Sequence, residues 1–397
     1  MLRLNQDQGK ARTVEPPPVL KDSVNLLLWY WGRRGFPVRL VENLTQELSG
    51  RPNVVLSRSL SRQSEGFKTD INPQFPNYYV DTYRGFPSAA VALFRVSRQR
   101  SELANFAKQI RAEVVFVPMR HTFGPLVLPA LRRQGLRVLL AVHDALPHPG
   151  ESYPFWQKHF RLDLKGTDGI IVMSHYVANL MSHTYRYPRE RMFFMPLPAP
   201  RFAVSSQART FPAGRPWRMM FFGRIREYKG LELLAQAYAK LQKQYPISLE
   251  VVGEGHVAAL DVLAALPGVT IENRWVPEHE VPLVINRADI VLLPYTEASQ
   301  SGILATSYAL GVPAIATPVG GIPEQVLAGE TGLLTTNTSG EALATSIATL
   351  ISDPDLYTSC SIGALSAAEH KYSISRAVDD VLNAARTLKS MPPRREE

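Results

Sequence analysis

Strand-sized apolar runs, each closed by glycine, histidine or a charged residue and each followed by a helical pattern, recur along this chain. That alternation dictates parallel sheets with right-handed crossovers, because a helix must carry the chain back before the next parallel strand can start. The most informative instance is Ser301–Val326, SGILATSYALGVPAIATPVGGIPEQV. It reads as a loop, a helix, a short buried strand at Ala314, Ile315 and Ala316, and a second loop at Gly320-Gly321. Ser301 and Gly302 stand where a helix leaves its first N–H groups without internal partners. Such ends suit phosphate. An ordinary strand-to-helix turn that needs glycine for its backbone has the same appearance. Both loops fall at the carboxyl ends of parallel strands, where open α/β sheets keep their ligands.

The units form two series. In the first, Val24–Trp31 is a buried strand, followed by a loop at Gly32–Gly35 and a helix patterned on Val38, Leu40, Val41, Leu44 and Leu48. Val54–Leu56, Val114–Pro118, Val138–Val142 (ending at His143-Asp144), Gly169–Met173 and Phe193–Met195 are further strands, and Ser101–Arg111 is a helix. Residues 63–90, rich in Pro, Gly, Tyr and Asn, carry no periodic signal. Neither do residues 201–216, which read as a linker. The second series has strands at Arg218–Phe222, Leu249–Val252, Val269–Glu272 and Ile290–Pro294, with helices at Leu231–Tyr245, His279–Arg287 and Gly340–Ile351. A last helix, Ile374–Leu388, is expected to pack back on the first series. The expected division is a flexible tail at 1–22, a first domain at 23–205, a second at 206–370, the returning helix at 371–390 and a tail at 391–397, with a cleft between the domains.

Composition narrows the function. The single cysteine, Cys360, excludes an internal disulfide framework and a cysteine metal cluster. No apolar run reaches bilayer length, and the first residues lack the apolar core of a secretory signal. A cytoplasmic location is therefore expected. The net charge is +9, and Ser23–Pro200 carries 23 Lys+Arg against 12 Asp+Glu. A basic first half can attract phosphates or the anionic inner face of a plasma membrane, or can serve solubility alone. With no zinc finger, RNA-binding signature or sustained basic helix, nucleic acid is not an expected partner.

Candidate chemistry gathers at the strand ends. Gly223, Arg224 and Lys229 lie in FFGRIREYKG, with both cations beside a helix start, a plausible clamp for a diphosphate. His143 follows a strand and could donate to a sugar hydroxyl or move a proton, or be a structural turn histidine. His121 and His175 share that setting and rank below it. Glu297, in the loop before Ser301, could accept from sugar or ribose hydroxyls, and Glu324 fits a helix first turn. No carboxylate pair has acid/base spacing and no metal site is visible.

FFGRIREYKG, VVGEG, ADIVLLPY, ALGVPAIATPVGGIPEQV and GETGLL occur in this order, and together they resemble the donor domain of family 4 glycosyltransferases, over Arg218–Leu334. The first half resembles the family more loosely, through Gly32, Gly35 and the VHD at Val142–Asp144. The resemblance implies a GT-B fold: two Rossmann-like parallel-sheet α/β domains facing a central cleft. It implies a retaining transfer from a nucleotide-diphosphate sugar to a glycan or lipid-linked acceptor, without metal or other cofactor. Arg224 and Lys229 would hold the diphosphate, the loop at Gly32–Gly35 would approach it, His143 would contact the transferred sugar, and backbone at Trp275–Val276 would border the base. The chain departs from the family at its Glu-x7-Glu motif, whose positions are here Ala298 and Thr306. Glu297 lies one residue from the first, and nothing acidic replaces the second. Ser299, Gln300, Ser301, Gly302 and Ile303 are then expected to supply donor contacts through hydroxyl, amide and backbone groups. The departure keeps a binding subunit without turnover open beside the enzyme, as does the shared fold for a nucleotide-sugar epimerase.

Overall fold

A computed structural model describes residues 23–68, 74–83, 86–150, 155–202 and 207–394. The expected tail at 1–22 and the last residues of the terminal tail lie outside the described residues. The first sheet has seven parallel strands: β1 (Val24–Tyr30), β2 (Val54–Ser61), β3 (Asn77–Val80), β4 (Val114–Val117), β5 (Arg137–Val142), β6 (Gly169–Val172) and β7 (Met192–Phe194), in the order β3-β2-β1-β4-β5-β6-β7. The second has six: β8 (Trp217–Phe222), β9 (Ile247–Val252), β10 (Val269–Glu272), β11 (Ile290–Leu293), β12 (Ala314–Ala316) and β13 (Gly332–Leu334), in the order β10-β9-β8-β11-β12-β13. Every residue of β1, β4, β6 and β11 is buried. Helices cover both faces of such strands, which is why these segments are continuous apolar runs.

Strand order reverses once in each sheet, between β1 and β4 and between β8 and β11. Loops that leave the two strands of such a pair turn to opposite faces, and a crevice opens between them. The loops concerned carry Gly32–Gly35, Pro118–Thr122, Gly223–Lys229 and Pro294–Ser301.

The last helix, Ile374–Ser390, sits in the core of the first domain. Ile374, Val378, Val381, Leu382, Ala385 and Leu388 are all buried there against β1 and β4. Their helical spacing makes one apolar stripe. Ser373 caps the helix by accepting from the Arg376 N–H at 3.2 Å.

Several elements differ from the sequence expectation. Part of 63–90 is ordered structure, with β3 forming the sheet edge. The helix expected at Ser101–Arg111 runs over Phe86–Gln109. The helix expected at His279–Arg287 shortens to Val281–Ile285, with Pro282 in its first turn. Helices Trp156–Lys165 and Pro354–Glu369 and strand β13 carried no clear periodic signal. No helix among the described residues is long and apolar enough to cross a membrane.

Candidate active site between the two sheets

Loops from the carboxyl ends of the two sheets meet across the cleft. Gly35, at φ 82°, opens the helix Phe36–Ser49. A Cβ on Gly35 would lie 3.4 Å from the Trp275 ring, and one on Gly302 would lie 3.5 Å from the Phe36 ring. The glycine loop after β1 therefore faces both the Trp275 segment and the start of the helix Gly302–Ala309. Gly32 is covered by the Tyr30 side chain, which reaches to 2.2 Å of where its Cβ would be, so a larger residue there would have to displace the Tyr30 ring.

Arg224 is exposed just beyond β8. Gly223, at φ 137°, has open space where a Cβ would project. Lys229 lies in the short turn Glu227–Lys229, with its Nζ 3.7 Å above the Tyr295 ring. Gly230 closes this turn at φ 69°, and a Cβ there would meet the Pro294 carbonyl oxygen at 1.8 Å. The carbonyl of Tyr228 accepts from the Thr296 N–H at 2.9 Å. The turn that bears Lys229, five residues after Arg224, and the loop that bears Glu297 are thereby one packed unit.

His143 is buried at the end of β5, and its Nε2 lies 2.9 Å from the Pro118 carbonyl. Burial lowers its pKa, so the ring is neutral and Nε2–H donates. Burial would raise the neighbouring Asp144, but its bonds to His148 and Ser299 bring it below the ordinary carboxylate range. His121 is also deeply placed, and burial pushes it down to about 3. The His175 ring stacks on Phe194 at 4.9 Å.

The stretch Ser301–Val326 divides into two roles. Ser301 is buried, and Gln325 holds both of its backbone groups: the Ser301 N–H donates to Oε1 at 2.7 Å and its carbonyl accepts from Nε2 at 3.2 Å. The Ser301 amide is therefore already used within the protein, contrary to its expected offer to phosphate. Thr306, buried on the same helix, returns its hydroxyl to the Gly302 carbonyl at 2.8 Å. Ile303 packs partly into the core, the Gln300 side-chain oxygen is buried without a partner among the described residues, and the Val276 side chain is a core residue that leaves only its backbone for a ligand. The second loop is a domain contact. Cβ atoms on Gly320 and Gly321 would strike the Ala298 and Ser299 carbonyls, and Gly321 also lies against Ser174. Glu324 accepts from the His175 and Tyr176 N–H groups at 2.7 and 2.9 Å, so it caps a first-domain helix rather than its own. The Ser174 hydroxyl donates to the Ser299 carbonyl at 3.3 Å.

Sequence reasoning missed four groups, among them Gln325, the Glu324 clasp and Glu278. Burial pushes Glu278 up to about 7, opposed by Arg39 and reinforced by Glu65 and Glu42 of the first domain. It also missed His148, whose only signal was its place four residues after Asp144 in VHDALPHPG.

The family described as "Glycosyltransferase Family 4" matches residues 24–198, and the one described as "Glycosyl transferases group 1" matches 216–353. The chain is similar to a D-inositol 3-phosphate glycosyltransferase of Corynebacterium urealyticum, 29% identical over 43% of this chain and 43% of that protein. It is similar to a GDP-mannose-dependent alpha-(1-6)-phosphatidylinositol monomannoside mannosyltransferase of Mycolicibacterium smegmatis, 26% identical over 58% of this chain and 66% of that protein. The matched region thus spans less than two thirds of either relative. A solved glycosyltransferase from Rickettsia africae superposes with a TM-score of 0.69 at 14% identity, covering 94% of this chain and 100% of that one. That structure shares the two-sheet GT-B fold, and with the two family matches following each other across both halves, the chain belongs to family 4 of the glycosyltransferases.

Proposed function

We propose that the protein moves a hexose-type sugar from a nucleotide-diphosphate sugar to a glycan or lipid-linked acceptor, with retention at the anomeric carbon. The observation that carries this reading is the convergence on one cleft of the Gly35 loop, the unit bearing Arg224, Lys229 and Glu297, and the His143-Asp144 turn. The second domain, 206–370, is the donor half, and the first, 23–205, the acceptor half. Arg224 and Lys229 neutralise the diphosphate, His143 contacts the transferred sugar, and Glu297 accepts from its hydroxyls. The acceptor hydroxyl attacks on the face the diphosphate leaves, and its proton passes to the departing phosphate oxygen as the C1–O bond breaks. In this scheme the cationic clamp carries the leaving-group charge, and no metal takes part.

A thermal-shift screen of nucleotide sugars, followed by anomer analysis of the product, tests the reading. Arg224→Ala and Lys229→Ala should each weaken the stabilising donor by about tenfold or more, the scale of one charge-assisted bond to phosphate. A donor that stabilises both variants as well as the parent rules out the clamp. Thr306 stands at the position of the family's second glutamate, and its hydroxyl is already bonded. That observation favours a second reading, a sugar-nucleotide-binding subunit without turnover. Donor hydrolysis or transfer by the purified chain excludes it.

The location proposed is cytoplasmic, with peripheral contact at the inner membrane face. In support, the neighbouring first-domain helices Phe86–Gln109, Gly124–Arg133 and Trp156–Lys165 expose Arg95, Arg133, Lys158, Arg161 and Lys165, with Phe94 at 86% exposure. Salt-sensitive sedimentation with anionic liposomes is expected. Failure to bind anionic vesicles at low salt refutes the contact.

A further inference from the structure

His148 reaches out of the first domain into the donor unit of the second. Its Nε2 lies 3.2 Å from Asp144 Oδ1 on its own loop, and its Nδ1 lies 3.2 Å from Glu297 Oε1 across the cleft. Its ring stacks on Tyr228, 4.6 Å between centroids at 11°, and Lys229 Nζ lies 5.0 Å from the centroid of the same Tyr228 ring and 3.7 Å from that of Tyr295. The side chain is 14% exposed, whereas Glu297 is 40% exposed and keeps acceptor capacity toward the cleft. A neutral imidazole has one N–H and one lone pair, and a lone pair aimed at a carboxylate is repelled. Carboxylates at both nitrogens therefore select the imidazolium, which donates to each.

We infer that His148 is a positioning residue: it holds the Glu297 carboxylate on the side of the cleft where the transferred sugar lies, and so makes good the one-residue offset of Glu297 from the family's glutamate position. The inference rests on the reading of the site as a nucleotide-sugar site. It names no contact between His148 and substrate. The groups that face His148 are Asp144 from its own loop, Glu297 from the loop after β11, and Tyr228 with Lys229 from the turn after β8. Burial would lower the His148 pKa, but the bonds to Asp144 and Glu297 outweigh it and the net direction is up. The bridge is therefore intact below the ordinary histidine range and is lost as pH rises through the raised value.

Calorimetric titration of the full chain with UDP-glucose, UDP-N-acetylglucosamine and GDP-mannose, and with UDP and GDP as sugar-free probes, tests this. His148→Ala should weaken the sugar nucleotide that binds by about tenfold while leaving the matching free nucleotide within about twofold. Glu297→Gln should show the same selective loss, and the double variant should lose no more than either single one. His148→Gln, which keeps one donor, should recover part of the affinity and remove the decline with rising pH. A clasp that merely holds the domains together would weaken both kinds of probe alike, and that result overturns the inference. So does an unchanged affinity in His148→Ala, additive losses in the double variant, or a parental pH profile in His148→Gln, the last comparison serving also if the alanine variant does not fold. If the parent protein binds none of the three sugar nucleotides, the nucleotide-sugar reading itself fails, a result seen before any variant is made.

Discussion

A buried side chain that satisfies both backbone groups of one residue contributes more than its two bonds, because removing it strands a donor and an acceptor away from water. Gln325 does this for Ser301, and it also lies beside the Tyr372 hydroxyl, which donates to the Gln325 carbonyl at 3.1 Å. The residue thus fixes the start of the helix Gly302–Ala309 from below. Gln325→Ala should cost on the order of 2 kcal/mol in denaturant unfolding, and should loosen the loop from Glu297 to Gly302. Gln325→Glu is the sharper comparison. It keeps the acceptor for the Ser301 N–H but sets a carboxylate against the Ser301 carbonyl, so it should be as destabilising as alanine near neutral pH and less so in acid. Equal stability of parent and alanine variant would show that Ser301 is held by other means. The same reasoning explains why Thr306 is a poor stand-in for a ribose-binding acid: its hydroxyl bonds Gly302 and its side chain is buried.

Elements were legible where one local signal sufficed. β1, β4, β6 and β11 are unbroken apolar runs buried on both faces, and each was readable from its own residues. The helix Ile374–Ser390 was readable for the same reason, because its buried residues fall on one stripe. β3 was not, since NYYV is half-exposed at a sheet edge and, among the described residues, pairs with β2 alone. Trp156–Lys165 was hidden because its outer face mixes Phe155, Leu162 and three cations, which blurs the apolar period. Glycine carried a similar ambiguity. The Gly35 loop does face the cleft, whereas Gly320 and Gly321 permit close passage of the Ala298 and Ser299 carbonyls, and the sequence looks alike in both cases. The candidate site divides in the same way. Arg224, Lys229, His143 and Glu297 were found from their place at strand ends. Gln325, Glu324 and His148 act on residues 24, 149 and 149 positions away, and no local pattern encodes such partners.

At the scale of the whole molecule, the packing of one domain on the other carries a pH dependence. Two groups at the domain boundary, His148 and Glu278, have raised pKa values, and both make the folded protein less stable as pH rises. His148 is the ordinary case, a cation whose bridge is present below its unfolded value and lost above its folded one. Glu278 is the reverse case, an acid held protonated up to about 7 by burial and by Glu65 and Glu42 opposite it. Between its ordinary value of 4.5 and about 7 the folded protein binds a proton that the unfolded chain has released. Stability must therefore fall with rising pH across that window, by linkage, and the full penalty remains above it. Glu278→Gln keeps the neutral shape and removes the titration. Relative to the parent it should stabilise by on the order of 1–2 kcal/mol at pH 8, allowing for solvent screening of a half-buried group, and by almost nothing near pH 4. Thermal melts of both proteins from pH 4 to pH 8.5 give the comparison directly. The variant should retain the part of the decline that belongs to His148, at higher pH, and lose the part between 4.5 and 7. Parallel melting curves across the whole range would show that Glu278 reaches solvent and that the acidic group around Gly35 and Trp275 does not couple the domains.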